Sequence, residues 1–545
     1  MSKVAHYLQE HVLGEVITST ALRQYFSTDG GVFTVTPSVV VYPRNENDVR
    51  KTARFAWQLA ERGRIIPITA RGRGTDQSGA AIGTGIVMVF PSHMHHISEL
   101  DGKSGVITVQ PGITYGHLQQ TLHTHGRFLP PYPASFEYSS IGGAIGNNAG
   151  GEKSVKYGKT SKYVRSLRVV LANGEVIQTG RISKREVNKK LGLSSFEGEI
   201  YRGLDKLYEE NHELIKADPL GVTKNSAGYN IWDVKHKDGS IDLTPLFVGS
   251  QGTLGIITEA ELSTESYNSQ TTLIAAAIDD IQVAEQITLE LRGLSDGPSA
   301  IEIVDQNLLD FIDKHNPNLL KDVVQKPFHK LIMLIEFDDA NDRLQKRMTK
   351  KAQKILDRYE VSYQTERETD RQDELWNIRR SAAVVIAHNE GNLKALPIIE
   401  DGIVPPEKFQ EYLQGTYKLL DKYGLKAAIW GHAGDANLHM QPFLDLSEVG
   451  DRQKCFRLVE DYYQLVISLG GSTSGEHSDG RLRGPYLPLL YGEEVYAVFQ
   501  RIKQIFDPHN TLNPGVKINV SLDDIKPLLR HEYSMDRLFD QLPKS

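Results

Sequence analysis

Ser139-Ser140-Ile141-Gly142-Gly143-Ala144-Ile145-Gly146-Asn147-Asn148-Ala149-Gly150-Gly151 is the stretch on which the fold turns. Seven of its thirteen residues are Gly or Ala, so the main chain can be approached closely, either by a flat, bulky ligand or by another run of backbone. Toward the N-terminus, Val39-Val40-Val41-Tyr42 reads as a strand, 43–49 introduces a helix to about 62, and 65–70 reads as the next strand. That strand empties into Arg71-Gly72-Arg73-Gly74-Thr75-Asp76-Gln77-Ser78-Gly79. Clustered backbone N–H groups, two hydroxyls and two arginines suit a pyrophosphate. An ordinary turn has a similar composition, and no Gly-Lys-Ser/Thr ends the loop as in a Walker motif. Pro111-Gly112 punctuates the chain before a helix over 115–125. Toward the C-terminus, Tyr157-Gly158 precedes an alternating strand at 164–171, Asn173-Gly174 carries the signal of a type I′ turn, and 247–258 again joins glycines to a strand.

The chain has 545 residues, enough for roughly three or four domain-sized units. Its 62 Lys+Arg and 69 Asp+Glu are interspersed and leave a net charge of −7, which gives nucleic acid no basic face to bind. Cys455 is the sole cysteine, which excludes an intrachain disulfide, a Cys-ligated iron–sulfur cluster and a Cys-rich zinc site, and fits a reducing, cytoplasmic setting. The first residues lack the apolar run of a secretory signal, and no apolar run of 18 residues is present to span a bilayer. Peripheral membrane contact stays open.

A second signal lies at Trp430-Gly431-His432-Ala433-Gly434-Asp435-Ala436-Asn437-Leu438-His439-Met440. A turn centred between Asp435 and Ala436 would set His432 opposite His439 in a hairpin, with both rings on one face. Such a pair is often structural. Glu476, in the glycine-rich Ser474-Gly475-Glu476-His477, would complete a two-His, one-carboxylate metal site and leave His477 for proton transfer.

Taken in order, 71–79, 141–151, 157–158 and 249–258 resemble the FAD-binding domain of the vanillyl-alcohol-oxidase (PCMH-type) family. The resemblance implies an α+β chain whose two-subdomain FAD-binding domain spans about 36–265 and holds FAD along the subdomain junction. The residues that map onto its cofactor contacts are Arg71, Gly72, Arg73, Gly74, Thr75, Ser78, Pro111, Gly112, Ile141, Gly142, Gly143, Gly146, Asn147, Asn148, Ala149, Gly150, Tyr157, Gly255, Ile256 and, from a closing segment at 506–515, Asn513. Some members attach flavin through a His of the first loop; position 75 is Thr and no His lies between 71 and 79, so the expectation is non-covalent FAD.

From about 270, a strand at 271–278, a helix at 281–294, a strand at 330–337 and a helix at 342–359 resemble the ferredoxin-like cap of FAD-linked oxidases. The expected layout is a leader over 1–35, the FAD domain, a cap with the metal site and a C-terminal helical segment over 266–520, and a tail over 521–545 packed as a surface helix. The C-terminal half is similar to the D-lactate, glycolate and D-2-hydroxyglutarate dehydrogenases. That similarity implies His432, His439 and Glu476 as ligands of a divalent metal, Zn or Mn, His477 as catalytic base, and Arg379 and Lys394 as holders of the substrate carboxylate. Two positions depart from the family pattern: Ala383 stands where a Thr is usual, and Ser478 where the large bacterial members read Gly. Those large members can carry an iron–sulfur domain; with one cysteine in a chain ending at Ser545, the expectation here is another route for electrons.

The implied activity is oxidation of a D-2-hydroxy acid, D-lactate ahead of D-2-hydroxyglutarate or glycolate, with a quinone, cytochrome or electron-transfer protein as acceptor and a homodimer left open. Two rivals remain at this stage. One is a metal-dependent hydrolase with merely structural glycine loops, the other a non-catalytic flavin-binding protein.

Overall fold

Val39–Tyr42, Ile68–Arg71 and Ile86–Val89 are short, apolar strands in which Ile86–Val89 is the parallel neighbour of both others. Burial on both faces is what parallel pairing under crossover helices demands, and the helix Glu46–Ala60, capped by the Asn45 side chain on the Asp48 amide, supplies one cover. This computed structural model describes residues 3–216, 220–321, 323–380 and 392–534. The N-terminal segment is not a detached leader: Glu15–Ile17 adds an antiparallel strand to Val39–Tyr42, beside the short helices Lys3–His11 and Thr20–Tyr25.

A second, five-stranded antiparallel sheet runs Ile97–Asp101, Val106–Val109, Ile256–Ser263, Val164–Val170, Val176–Gln178. The glycine-rich stretch crosses between the two sheets as the helix Ile141–Asn147, with the Ser140 side chain accepting from the Gly143 amide and Asn148 ending it at φ 54°. The turn at Asn173-Gly174 differs from the type I′ expectation. Only Gly174 is left-handed (φ 84°), with its amide donating to Leu171 and the Leu171 amide to Glu175, which is a type I turn closed by a left-handed glycine.

The cap is one antiparallel sheet, ordered Ser362–Glu366, Thr272–Ile278, Leu331–Phe337, Ala300–Asp305, Ala427–His432, Asn437–Asp445, Leu393–Ala395. Apolar clusters line both of its faces under the helices Ile281–Arg292, Gln306–His315 and Asp342–Arg358. The strands Ala300–Asp305 and Ser362–Glu366 are additions to the sequence reading. The helix Leu487–Phe506 leaves the cap and buries Phe499, Ile502 and Phe506 in the core of the FAD-binding half. The tail forms no long surface helix among the described residues. After the single turn Leu522–Ile525, Leu529 bridges Phe33, and the buried Arg530 donates to the carbonyls of Phe33 and Asp29.

The histidine hairpin is shifted from its expected register. His432 pairs with Asn437, Gly431 with Leu438 and Trp430 with His439. The connecting loop has the expected four residues but begins one position earlier, as the 3-10 turn Ala433–Asp435 ended by left-handed Ala436. A one-residue slip would have thrown one imidazole to the opposite face; a shift of two in the pairing leaves both on the same face as diagonal neighbours.

Candidate active site

Three glutamates organise the site, each joining a fixed cation to one or two imidazoles. Glu302, fully buried in the strand Ala300–Asp305, accepts from Arg379 Nε at 2.7 Å and meets His432 Nδ1 at 2.7 Å. Glu476 meets Lys224 Nζ at 2.5 Å through Oε2, and His432 Nε2 at 2.9 Å and His439 Nε2 at 3.4 Å through Oε1. Glu400 pairs with the fully buried Arg483 and meets His477 Nδ1 at 2.5 Å. The His432 and His439 Nε2 atoms lie 3.3 Å apart, and the His439 and His477 rings stack with centroids at 5.0 Å.

Local sequence explains this convergence. Gly150 has no side chain because a Cβ would sit 2.5 Å from Glu476 Oε2. Asp401 accepts from the amides of Glu476 and His477 and from Ser474 Oγ, so it shapes the loop rather than facing the cavity. Ser478 adopts φ 63°, a left-handed conformation that favours Gly. Here its hydroxyl donates to the carbonyls of Ser226 and Gly249 and accepts from Lys517.

Electrostatics follow from the pairing. Burial pulls His432 down, yet the carboxylates of Glu302 and Glu476 outweigh it and hold the imidazole above its ordinary value. Burial lowers His439 to about 4, aided by His477 and His432. Burial opposes ionisation of Glu476, but His432 and Lys224 keep it well below the carboxylate range. His439 is therefore a neutral lone-pair donor at pH 7, beside an ionised carboxylate.

The donor set His432 Nε2, His439 Nε2 and Glu476 Oε1 gathers three ligand atoms within 4.8 Å, and two imidazoles with one carboxylate suit Zn or Mn. A second grouping, Glu400, Asp401, His439 and His477, fits an ion less well. Its two carboxylates are already engaged by Arg483 and by backbone amides.

His432, His439, Glu476 and His477 line a cavity of about 380 Å³ together with Arg379, Arg380 and Trp430. Thr75, Asp76, Gly143 and Asn147 line both this cavity and a groove that continues along Arg71, Gly72, Arg73, Gly74, Pro111, Gly142, Gly146 and Gly255. The groove suits a dinucleotide with a pyrophosphate. The buried Nε atoms of Arg71 and Arg73 have no hydrogen-bond partner, and Cβ atoms at Gly143 and Gly146 would meet nothing closer than 3.3 Å and 3.9 Å and would project into the groove. Other glycines answer to close packing by neighbouring side chains: a Cβ at Gly72 would lie 2.0 Å from Ser140 Oγ, and one at Gly142 2.6 Å from Pro111 Cβ.

The remaining sequence-marked residues divide. Ala149 lines the cavity. Ser78 donates to the Asp76 carboxylate, Asn148 Oδ1 accepts from the Ser161 amide, and Asn513 ties Ala80 to Gln251 behind the groove. Gly112 sits under the carbonyls of Phe90 and Met94, and Ile141 and Ile256 are core residues. Tyr157 turns to the cap, donating to Asp338 at 2.9 Å. Arg379 lines the cavity, whereas Lys394, opposite Leu444 on the strand Leu393–Ala395, is not among its described lining residues. Ala383 lies outside the described residues. Lys224, Glu302, Glu400 and Arg380 were given no role in the sequence reading. The usable signal was Glu302, an acid at the centre of an apolar strand, where burial demands a partner.

Comparison with known proteins identifies the family of the chain. Residues 268–516 match the family of FAD linked oxidases, C-terminal domain, and residues 37–180 the FAD binding domain family. D-2-hydroxyglutarate dehydrogenase of Escherichia coli K12 is 30% identical over 93% of this chain, which spans 50% of that relative's length. Glycolate oxidase subunit GlcD of Bacillus subtilis is 30% identical, with 88% of each chain covered, and D-lactate dehydrogenase of Archaeoglobus fulgidus is 29% identical over 88% of this chain and 90% of its own. Among solved structures, p-cresol methylhydroxylase with substrate bound superposes with a TM-score of 0.68 at 14% identity over 96% of this chain and 97% of that one, a likeness of fold alone.

Proposed function

We propose, from the premise that this chain belongs to the FAD-linked oxidases, that it oxidises a D-2-hydroxy acid to the 2-oxo acid. The observation that carries the reading is the convergence of His432, His439, Glu476 and His477 on one cavity that opens into the glycine-lined groove. FAD, held without a covalent bond, supplies the acceptor for the α-hydride when bound. A divalent ion on His432, His439 and Glu476 would supply Lewis acidity toward the substrate hydroxyl.

The side chains divide the remaining work. Glu400 accepts a hydrogen bond from His477 Nδ1–H, which leaves the Nε2 lone pair, 3.8 Å from Glu476 Oε1, to accept the hydroxyl proton. Arg483 is paired with Glu400 and fixes that carboxylate, which in turn orients the His477 ring. Arg379, fixed by Glu302, offers a planar fork to the α-carboxylate.

One observation favours a particular substrate. Arg380, held by Glu152 at 2.5 Å and stacked over Trp376, lines the same cavity as Arg379. Two successive arginines match a substrate with a carboxylate at each end, such as D-2-hydroxyglutarate, better than D-lactate or glycolate. The test is anaerobic bleaching of the 450 nm flavin band by both enantiomers of lactate, 2-hydroxyglutarate and glycolate. Bleaching by one enantiomer, fastest with the dicarboxylate, is expected. Equal rates with both enantiomers, or a colourless protein that hydrolyses esters in a metal-dependent way, would overturn the reading. No described helix is long and apolar enough to cross a membrane.

A further inference from the structure

The pyrophosphate loop, which lines the groove between Arg71 and Ala81, is backed by residues that are not among the groove's described lining. The Gly30 amide donates to the Gly74 carbonyl at 3.0 Å, and the Asp29 carboxyl accepts from the Ala81 amide at 3.3 Å and from the Gly31 amide at 2.9 Å. Residues 29–31 therefore hold the loop at two separated points. Between those points the contact is main chain on main chain: a Cβ at Gly30 would lie 3.0 Å from the carbonyl oxygens of Thr75 and Asp76, and one at Gly31 2.7 Å from that of Gln77. Ala81 is fixed twice, since Arg71 Nη1 donates to its carbonyl at 3.0 Å.

Residues 29–34 are held in turn by the segment 528–533. The carbonyls of Asp29 and Phe33 accept from Arg530 Nη2 at 2.6 Å and Nε at 3.0 Å, that of Val32 from the Arg530 amide at 3.0 Å, and that of Gly30 from the Tyr533 hydroxyl at 2.9 Å, while the Thr34 amide donates to Leu528 at 2.9 Å. Arg530 and Tyr533 are buried, with the guanidinium carbon 5.4 Å from the ring centroid. A guanidinium presents its five N–H donors in a rigid fork, so one side chain fixes the relative positions of all the carbonyls it reaches. Arg530 and Phe33 lie 497 positions apart in the chain, and both segments fall outside 37–180 and 268–516, so the matched families assign them no role.

We propose that Arg530 and Tyr533 are positioning residues for FAD: acting through the strap 29–34, they hold the pyrophosphate loop in its binding shape and set the rate at which FAD leaves. Neither is among the described lining residues of the groove. A loop with glycine at 72, 74 and 79 has little stiffness of its own, and a site that must be ordered at the moment of binding loses affinity by the cost of ordering it. Bracing from behind removes that cost without placing a side chain where the pyrophosphate has to lie. The inference needs FAD in the groove but neither a metal nor a hydroxy acid, so it stands or falls apart from the dehydrogenase reading.

The experiment dilutes the purified FAD-bound protein, follows release of FAD by the rise in flavin fluorescence, and maps hydrogen–deuterium exchange in the same samples. Tyr533→Phe removes a single hydroxyl and should speed release about two- to tenfold, the worth of one hydrogen bond. Arg530→Met removes the charge-assisted bonds to Asp29 and Phe33 and should speed it about ten- to a hundredfold. In both variants the amides of 74–81 should lose protection while those of the strand Val164–Val170 keep theirs, which separates a loosened loop from a loosened fold. If Arg530→Met yields no folded protein, Tyr533→Phe carries the test alone. Release at the wild-type rate in Tyr533→Phe, or an equal loss of protection in both regions, would overturn the proposal. Flavin that stays on the denatured chain would count against non-covalent attachment alone, and the exchange of 74–81 would then decide whether the strap holds the loop.

Discussion

Replacing Glu302 by Gln changes one atom type and isolates the role of a buried carboxylate. Glu302 accepts from Arg379 through Oε2 and from His432 Nδ1–H through Oε1, both at 2.7 Å, so His432 presents Nε2 toward Glu476 and His439. Gln has one acceptor and one donor end. With its oxygen toward Arg379, its NH₂ faces Nδ1, which must then be the acceptor; the ring proton moves to Nε2 and blocks the ligand atom. With the amide reversed, NH₂ opposes a buried guanidinium N–H, and both lose their partner. Either way metal binding suffers, and outer partners of ligating histidines are typically worth 10–100-fold in affinity, about 1.4–2.7 kcal/mol at 1.4 kcal/mol per tenfold. The assay is a zinc or manganese titration by calorimetry on the FAD-bound protein, with the flavin spectrum as a check on the fold. Affinity within twofold of wild type, with an unchanged melting temperature, would refute the idea that Glu302 sets the His432 tautomer.

Lys224→Met removes the cation from Glu476 Oε2 and leaves a buried carboxylate half-paired. Breaking such a pair costs about 3–5 kcal/mol, and since a bound ion restores the missing charge, the melting-temperature gain on adding metal should be larger than in wild type. His477→Ala should keep the flavin spectrum and metal content while abolishing anaerobic bleaching; retained bleaching would remove His477 from proton transfer. Gly143→Val sends a branched side chain into the groove, and the variant should lose its yellow colour on gel filtration with its circular dichroism intact. The Asp305 carboxyl, pushed up to about 7 by burial, keeps its proton while the unfolded chain has already ionised, so stability falls as pH rises from about 4 to 7. Asp305→Asn keeps an acceptor for the Leu308 amide at the cap of Gln306–His315 and should flatten that slope in melting curves taken across the interval.

How much could be read from the sequence depended on whether a residue's role was local. Arg71 to Gly74 and Gly142 to Gly146 announced a groove because small residues and paired arginines in a short loop admit few other uses. His432, His439 and Glu476 were legible from glycine-flanked imidazoles and an adjacent acid, even with the hairpin register displaced by two. Glu302, Lys224 and Glu400 were not. Each is a single charged residue whose partner lies between 77 and 252 positions away, with no spacing to betray it. The strand Ala300–Asp305 was hidden for a related reason: it is buried throughout, so its pattern lacks the alternation of a half-exposed strand.

Those three hidden residues decide what the visible ones can do. Suppose Glu302, Glu400 and Glu476 lacked Arg379, Arg483 and Lys224. Three bare carboxylates around three imidazoles would raise every ring above its ordinary value, and protonated rings neither ligate metal nor accept a proton. With one cation assigned to each acid, the carboxylates still orient the rings, but much of their field is cancelled. His439 meets Glu476 through Nε2 at 3.4 Å and Glu400 through Nδ1 at 3.5 Å, but burial outweighs both, lowers it to about 4 and keeps it neutral. His432 has its two carboxylates closer, at 2.7 and 2.9 Å, and is the ring still held above its ordinary value, and so the place where a proton yields to an incoming dication. Metal uptake should therefore release a proton from His432 and weaken as pH falls, with His439 contributing nothing to that dependence near neutrality. Calorimetry in buffers of different ionisation enthalpy counts those protons. Metal affinity that does not weaken as pH falls would mean that the cations do not divide the field in this way.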